Sequence, residues 1–274
     1  MEPTHTQLEG QILALARQRL KADAAGLSLC LMTAEGDEVL AIRADQAKPS
    51  ASTIKTAILL ALLEQADAGH RRLSERIAIT PGNRVGGTGV LRALPSVQQL
   101  TLAELCGLMM VVSDNTATNQ LIDLLGFDAI NQYLQAAGLA HSALRRKMMD
   151  SEAQKAGRDN TTSARDLCLL MHRLQQSSPL STAMQGFALE LMATERYQPL
   201  LCAALPAGVR ASNKTGQLPD LRNDAGIFCK GNHSLVLAVM ATGFQDPVTS
   251  ASIHGGQGEL LLADIGTLVC NTCL

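Results

Sequence analysis

Lys48-Pro-Ser-Ala-Ser52-Thr-Ile-Lys55-Thr-Ala-Ile-Leu-Leu-Ala-Leu-Leu63 is the stretch that decides the fold of this 274-residue chain. A Pro/Ser-rich entry passes into a run that is apolar on most sides. That pattern predicts a helix over 52–68 buried inside the molecule rather than lying on its surface. Ser52 stands at the entry of this helix and Lys55 three residues on, so the two share a face, one turn apart. A buried helix needs cover on every side, and the flanking sequence supplies it. Upstream, 6–23 reads as a helix through Leu8, Ile12, Leu13, Leu15 and Leu20. Two short alternating runs, 27–32 and 39–42, then enclose Ala34-Glu-Gly-Asp37, the composition of a hairpin turn. Downstream, helical patterns fill 101–112, 116–125, 127–137, 162–175 and 181–195. Strand-like runs return at 208–214, 225–230 and 234–242, and a last helix covers roughly 256–270.

Strands that bracket a helical block imply an α+β fold. The expected architecture is a mostly antiparallel five-stranded sheet made from both chain ends, flanked by helices, with an all-helical insertion. Residues 1–50 with 206–274 would form the discontinuous sheet domain and 51–205 the helical one, with the active site in the cleft between them. Hydrophobic residues make up 46% of the chain, with no Trp, four Phe and two Tyr, so the core is built from Leu, Ala, Val, Ile and Met. Twenty-three basic and 25 acidic side chains give a formal net charge of −2. Neither sign forms a long run, which argues against a nucleic-acid partner. The longest apolar runs, such as 57–63, are too short to cross a bilayer.

The start, Met1-Glu-Pro-Thr-His-Thr-Gln-Leu-Glu-Gly, carries neither a basic nor an apolar leader segment. The expected location is therefore cytoplasmic, or periplasmic or secreted if a leader has been removed. Seven scattered cysteines, an odd number, fit free thiols in a reducing compartment. Cys270-Asn-Thr-Cys273 has the form of half a metal site, but no second pair accompanies it and the six His are dispersed. No metal and no cofactor is expected. Gly82-Asn-Arg-Val-Gly-Gly-Thr-Gly89 lacks the Gly-Lys-Ser/Thr ending of a phosphate loop and reads as an ordinary loop.

Chemistry concentrates in three short motifs. Ser52-Thr-Ile-Lys55 sets a hydroxyl at a helix N-terminus, where free N–H groups favour developing negative charge, beside a lysine able to act as its base. Ser113-Asp-Asn115 follows 61 residues later, between two helical patterns, and Lys214-Thr-Gly216 follows 101 residues beyond that. Each has a plain structural alternative: a capped helix with a solvated lysine, a second N-cap, a strand-ending turn. A Ser-x-x-Lys pair arises by composition about once in most chains of this length, and a given tripeptide in roughly one chain in thirty. All three in this order, after a buried helix, form the informative combination.

In these motifs and in its strand–helices–strand order, the sequence resembles the serine β-lactamase and penicillin-binding protein superfamily, class A β-lactamases in particular. The likeness runs over nearly the whole chain, and Thr161-Thr162 resembles the Thr pair that follows that family's omega loop. The resemblance implies Ser52 as nucleophile, with Lys55 and Ser113 passing its proton to the leaving nitrogen. Asn115 would hold Lys55 and a substrate amide, and Lys214 and Thr215 a substrate carboxylate. Gly216 would leave room for the acyl group, and the backbone N–H groups of Ser52 and Gln217 would form the oxyanion hole. Two lysines about 6 Å apart at an effective dielectric near 20 repel by about 2–3 kcal/mol, which keeps a fraction of Lys55 neutral. Arg222 is a second candidate for the carboxylate, set against pairing with Asp220 or Asp224.

One departure stands out. The family's omega loop carries Glu-x-x-Leu-Asn, whose Glu activates the deacylating water, and that motif is absent from this chain. Its position falls near Lys147 or Met148, in Leu144-Arg-Arg-Lys-Met-Met-Asp150-Ser-Glu152, where Asp150 and Glu152 are the nearest carboxylates and the candidate substitutes. The segment from Thr88 also lacks the aromatic residue that commonly gates the cleft. The expected function is therefore a serine hydrolase cleaving a carboxylate-bearing amide or β-lactam through an acyl-enzyme. The alternatives are an esterase, D-amino-acid peptidase or transacylase for another small acyl substrate, or a slowly deacylating penicillin-binding protein.

Overall fold

Ala34-Glu-Gly-Asp37 closes the hairpin its composition calls for: β1 (Leu27–Thr33) turns into β2 (Glu38–Ile42), with Gly36 at φ +95°. Only glycine fits there, because a Cβ would come within 2.7 Å of the His172 ring. The structure is a computed structural model that describes residues 5–176, 180–194, 200–244 and 256–274. Three further strands complete the main sheet: β7 (Arg210–Leu218), β8 (Leu221–Lys230) and β9 (His233–Thr242). Its order is β2-β1-β9-β8-β7 and every neighbouring pair is antiparallel, so the two chain ends interleave as expected. β3 (Lys48–Pro49) pairs with β6 (Thr161–Thr162), and β4 (Arg76–Ala78) with β5 (Gln99–Thr101).

Both faces of the main sheet are covered, which is why 27–32 is buried on both sides of the strand. On one face lie α1 (His5–Arg19) and α9 (Gln257–Cys273), joining Leu8, Ile12, Leu261 and Ile265 to Leu29 and Leu237 of the sheet. The other face meets the helical block: α2 (Ile54–Asp67), α3 (Leu102–Val111), α4 (Asn115–Leu125), α5 (Phe127–Ala136), the short α6 (Ser151–Lys155), α7 (Ala164–Gln175) and α8 (Thr182–Ala193). α2 is the hub. Every residue from 54 to 63 is buried, as its sequence predicts, including the polar Lys55 and Thr56. Among the described residues no helix is long and apolar enough to cross a membrane.

Three expectations need correction. The first helix stops at Arg19 instead of 23: Leu20 bridges to Phe244, and Ala22, Asp23 and Ala24 turn the chain at φ 52°, 51° and 64°. Helix α7 begins at Ala164, because Thr161 and Thr162 are held in strand β6. The third matters most for the site. β7 does not end near Lys214 but runs on to Leu218, and β8 starts at Leu221. Its first residues, Arg222, Asn223 and Asp224, are polar and hide the strand pattern, yet all three are buried with internal partners. Asn223 donates to the carbonyls of Pro49 and Ser50, and Asp224 accepts from Asn213 and the Leu201 N–H.

Candidate active site

Ser52 sits in a short 3₁₀ turn, Ala51–Thr53, that opens into α2; Ala51 enters it at φ +47°. The turn is fixed from behind by Asn223 and by the Ser50 N–H, which donates to the Asn160 carbonyl at 2.9 Å. One helical turn on, Lys55 is fully buried. Its ammonium donates to the Ser113 carbonyl at 2.7 Å, the Ser113 hydroxyl at 3.0 Å and the Asn115 Oδ1 at 2.9 Å. Burying an ammonium is costly unless it is compensated, and three well-placed acceptors compensate it.

Each residue of Ser113-Asp-Asn115 has its own anchor. Ser113 adopts φ +53°, a left-handed conformation that serine rarely takes. Two donors aimed at its carbonyl, Lys55 Nζ and Thr88 Oγ1 at 2.5 Å, hold it there. Asp114 caps α4 by accepting from the Ala117 N–H, and its other oxygen takes the N–H groups of Val90 and Leu91. Asn115 turns its Nδ2 to the Gly86 carbonyl at 3.0 Å. The glycine-rich loop is thus tied to the motif and forms one wall of the cleft.

The opposite wall is β7. Lys214 is buried, and side chains two apart along a strand share a face. Gly216 faces the Ser52 turn: a Cβ on it would lie 3.0 Å from both the Ser50 carbonyl and the Ser52 N–H nitrogen. The strand backbone therefore passes close beside the Ser52 amide, and a side chain at 216 would crowd the Ser52 turn. Thr215 is buried opposite Asp224 in the ladder, and Gln217 lines the cleft with Ser52 and Asn115. Lys48, two residues before Ser50, is also buried, and burial followed by the nearby Arg43 lowers its pKa to about 8.

The third wall is the segment from Leu144 to Asn160. Asn160 accepts the N–H groups of Arg145 and Arg146 on Oδ1 and donates to the Arg146 carbonyl. Asn119 of α4 grips Met148 by both its N–H and its carbonyl. These clamps present Met148 and Met149 to a cavity of about 160 Å³ that Ser52, Asn115, Asn160 and Gln217 also line. Lys147 turns away to Asp123 and Asn83. Asp150 accepts the Ala153 N–H as the cap of α6, and Glu152 is exposed and paired with Lys155. Neither lines the cavity, and no other carboxylate does among the described residues. Arg222 reaches neither Asp220 nor Asp224. It pairs with Glu259 at 2.8 Å, bonds the Leu218 and Leu221 carbonyls and lies over the Phe244 ring. Its guanidinium is thus engaged between β8 and α9 and is not part of the cavity lining.

The site residues expected from sequence therefore converge: Ser52, Lys55, Ser113, Asn115, Gly216 and Gln217 meet around one cleft. Sequence reasoning missed the Asn119 and Asn160 clamps and the Gly87 and Met149 walls, since single Asn, Gly and Met residues carry no motif. No group of three His, Cys, Asp or Glu side chains able to hold a metal ion occurs among the described residues. The Cys270 thiol is pushed up to about 12 by burial, then by Cys273.

A five-stranded antiparallel sheet, a buried Ser-x-x-Lys helix and a lysine-bearing strand beside the serine amide define a serine hydrolase of the penicillin-recognising class. The model of the Beta-lactamase enzyme family matches residues 7–273, and the chain belongs to that family. Solved structures agree with this membership. The beta-lactamase from Sphaerobacter thermophilus DSM 20745 is 28% identical, with 96% of each chain covered and a TM-score of 0.84. PBP-A is 30% identical, with 98% of this chain and 97% of that one covered and a TM-score of 0.84. A leucine-to-glutamate variant of PBP-A, solved as an acyl-enzyme complex with penicillin G, matches with the same figures.

Proposed function

We propose that this hydrolase opens carboxylate-bearing amides, β-lactams among them, through an acyl-enzyme on Ser52. The observation that carries the proposal is the fully buried Lys55, with its ammonium on the Ser113 hydroxyl and the Asn115 amide, one turn from Ser52. Ser52 Oγ attacks the carbonyl carbon as its proton passes to the fraction of Lys55 that is neutral, which thereby becomes the ammonium. Ser113, in contact with Lys55, delivers a proton to the departing nitrogen. Charge on the carbonyl oxygen is met by the N–H groups of Ser52 and Gln217, a role supported by the close passage of the strand at Gly216 beside the Ser52 amide. Lys214 and Thr215 take the carboxylate, and Asn115 an amide of the acyl side chain. In this arrangement the cleft lies between a sheet unit, 1–50 with 206–274, and a helical unit, 51–205.

The cavity's lack of a carboxylate favours a second element of the proposal: acylation is fast and deacylation slow. A general base contributes about 10²–10⁴ in rate. Without one, a turnover near the enzyme median of about 10 s⁻¹ falls to roughly 10⁻¹–10⁻³ s⁻¹. A chromogenic cephalosporin and a simple aryl ester, followed side by side, test this. The expected trace is one equivalent of cephalosporin opened rapidly and slow turnover after it. Rapid ester cleavage with no cephalosporin burst would instead favour the esterase or transacylase alternative.

A further inference from the structure

The geometry points to Met149 as a specificity-determining residue that bridges the mouth of the cleft and selects substrates with an uncharged aryl acyl group. This preference presupposes acylation at Ser52 as proposed above. Met149 takes φ +65°, a conformation unfavourable for an unbranched side chain without a local reason, and it is 54% exposed. Its position is imposed by Asn119, which grips the preceding residue at both N–H and carbonyl. So held, Met149 reaches across to the facing glycine loop. A Cβ on Gly87 would lie 2.9 Å from the Met149 sulfur and 2.5 Å from Asn115 Nδ2, so the thioether rests on bare glycine backbone. Gly87 itself has φ +79°, so the loop is shaped for a residue with no side chain there.

The bridge roofs a cavity of about 160 Å³, and cavities of about 150 Å³ hold a benzene ring. Met148 and Leu218 add apolar lining. Among the described residues the one cation in the lining is Arg146, which is bonded to Asp159 and to the Lys147 carbonyl. A charged acyl group entering beneath Met149 loses hydration and meets no uncommitted ionic partner among the described residues, only the neutral Gln217 amide. A neutral aryl group gains apolar contact and a sulfur–ring contact worth about 2- to 12-fold in binding.

Three penicillins with one core separate these terms: benzylpenicillin, its side-chain carboxylated analogue carbenicillin and its aminated analogue ampicillin. The rate of Ser52 labelling is read by quenched intact-protein mass spectrometry. Wild type should label with benzylpenicillin about tenfold faster than with either charged analogue. Met149→Ala should reduce that advantage to under threefold by slowing benzylpenicillin alone, and Met149→Leu should keep most of it. Equal rates for all three in wild type, or an unchanged ratio in Met149→Ala, overturn the role of Met149 while leaving acylation intact. Labelling by none of the three overturns the acylation proposal, and the preference with it.

Discussion

At the scale of single residues, the account turns on which side chains the buried ammonium of Lys55 touches. Ser52→Ala should abolish acyl transfer, since losing the nucleophile of a cooperative unit costs about 10⁶ in turnover; retention of a tenth of wild-type activity on the best substrate contradicts the assignment. Lys214→Ala should weaken carboxylate-bearing substrates strongly and a neutral ester only slightly, because the lost contact is charge-assisted. Equal losses in kcat/KM on both would mean that Lys214 acts on the other lysine instead. Met148, one of the two positions to which the resemblance assigns the family's deacylating glutamate, lines the cavity with its backbone fixed by Asn119. Met148→Glu should therefore shorten the acyl-enzyme lifetime by about 10²-fold or more, and decay of the adduct mass measures it. Asp150→Asn and Glu152→Gln should leave that lifetime unchanged, given a capping carboxylate and an exposed one. The serine, lysine and asparagine positions were legible in sequence because the chemistry needs those residue types at set spacings. Met149 and Asn119 were not, because their roles depend on where a loop folds back.

Among elements, strand β8 shows how function and packing were confused in sequence. Arg222, Asn223 and Asp224 fall outside the strand-like run expected at 225–230, and Arg222 reads as a candidate carboxylate partner set against pairing with Asp220 or Asp224. Their partners, Glu259, the Ser50 turn and Asn213, come from elsewhere in the chain, so periodicity had no means of marking the strand. Arg222 and Glu259 instead join β8 to α9 by a buried ion pair, with side chains 4% and 15% exposed. Arg222→Ala should cost about 3–5 kcal/mol in urea unfolding, since it strands a buried carboxylate. It should leave the preference for carboxylate substrates unchanged; loss of that preference in the folded variant would restore Arg222 to the substrate site. By contrast the hairpin at 34–37 and helix α2 were legible outright, because turn composition and all-round apolarity act locally.

The whole molecule is a sheet with a core on each face, and its buried thiols shape its response to pH. Burial pushes Cys106 and Cys270 up to about 12, and Cys168 and the half-buried Cys229 also rise chiefly through burial. Each raised thiol stays protonated in the fold while its unfolded counterpart ionises near pH 9. For Cys106 and Cys270 that stability is complete below pH 9 and is lost as pH climbs toward 12. Lys48, lowered to about 8, acts with the opposite sign between pH 8 and its unfolded value near 10.5, as does Cys30, lowered chiefly by its hydrogen bond with Cys168, but they are two groups against several. Unfolding free energy under reducing conditions should therefore fall above pH 9. Cys106→Ala should flatten that fall by up to about 1.4 kcal/mol per pH unit; a slope unchanged by the substitution contradicts the burial account.

The two cores meet at the cleft, and what the cleft does to a β-lactam is the central question. Its most direct test is intact-protein mass spectrometry after brief exposure to benzylpenicillin, with the adduct followed over time. The expected result is a near-stoichiometric mass increase that persists for seconds to many minutes and is absent from Ser52→Ala. Fast hydrolysis with no adduct would contradict slow deacylation and reveal a base the cavity does not display. No adduct and no hydrolysis would contradict β-lactam acylation at Ser52 altogether.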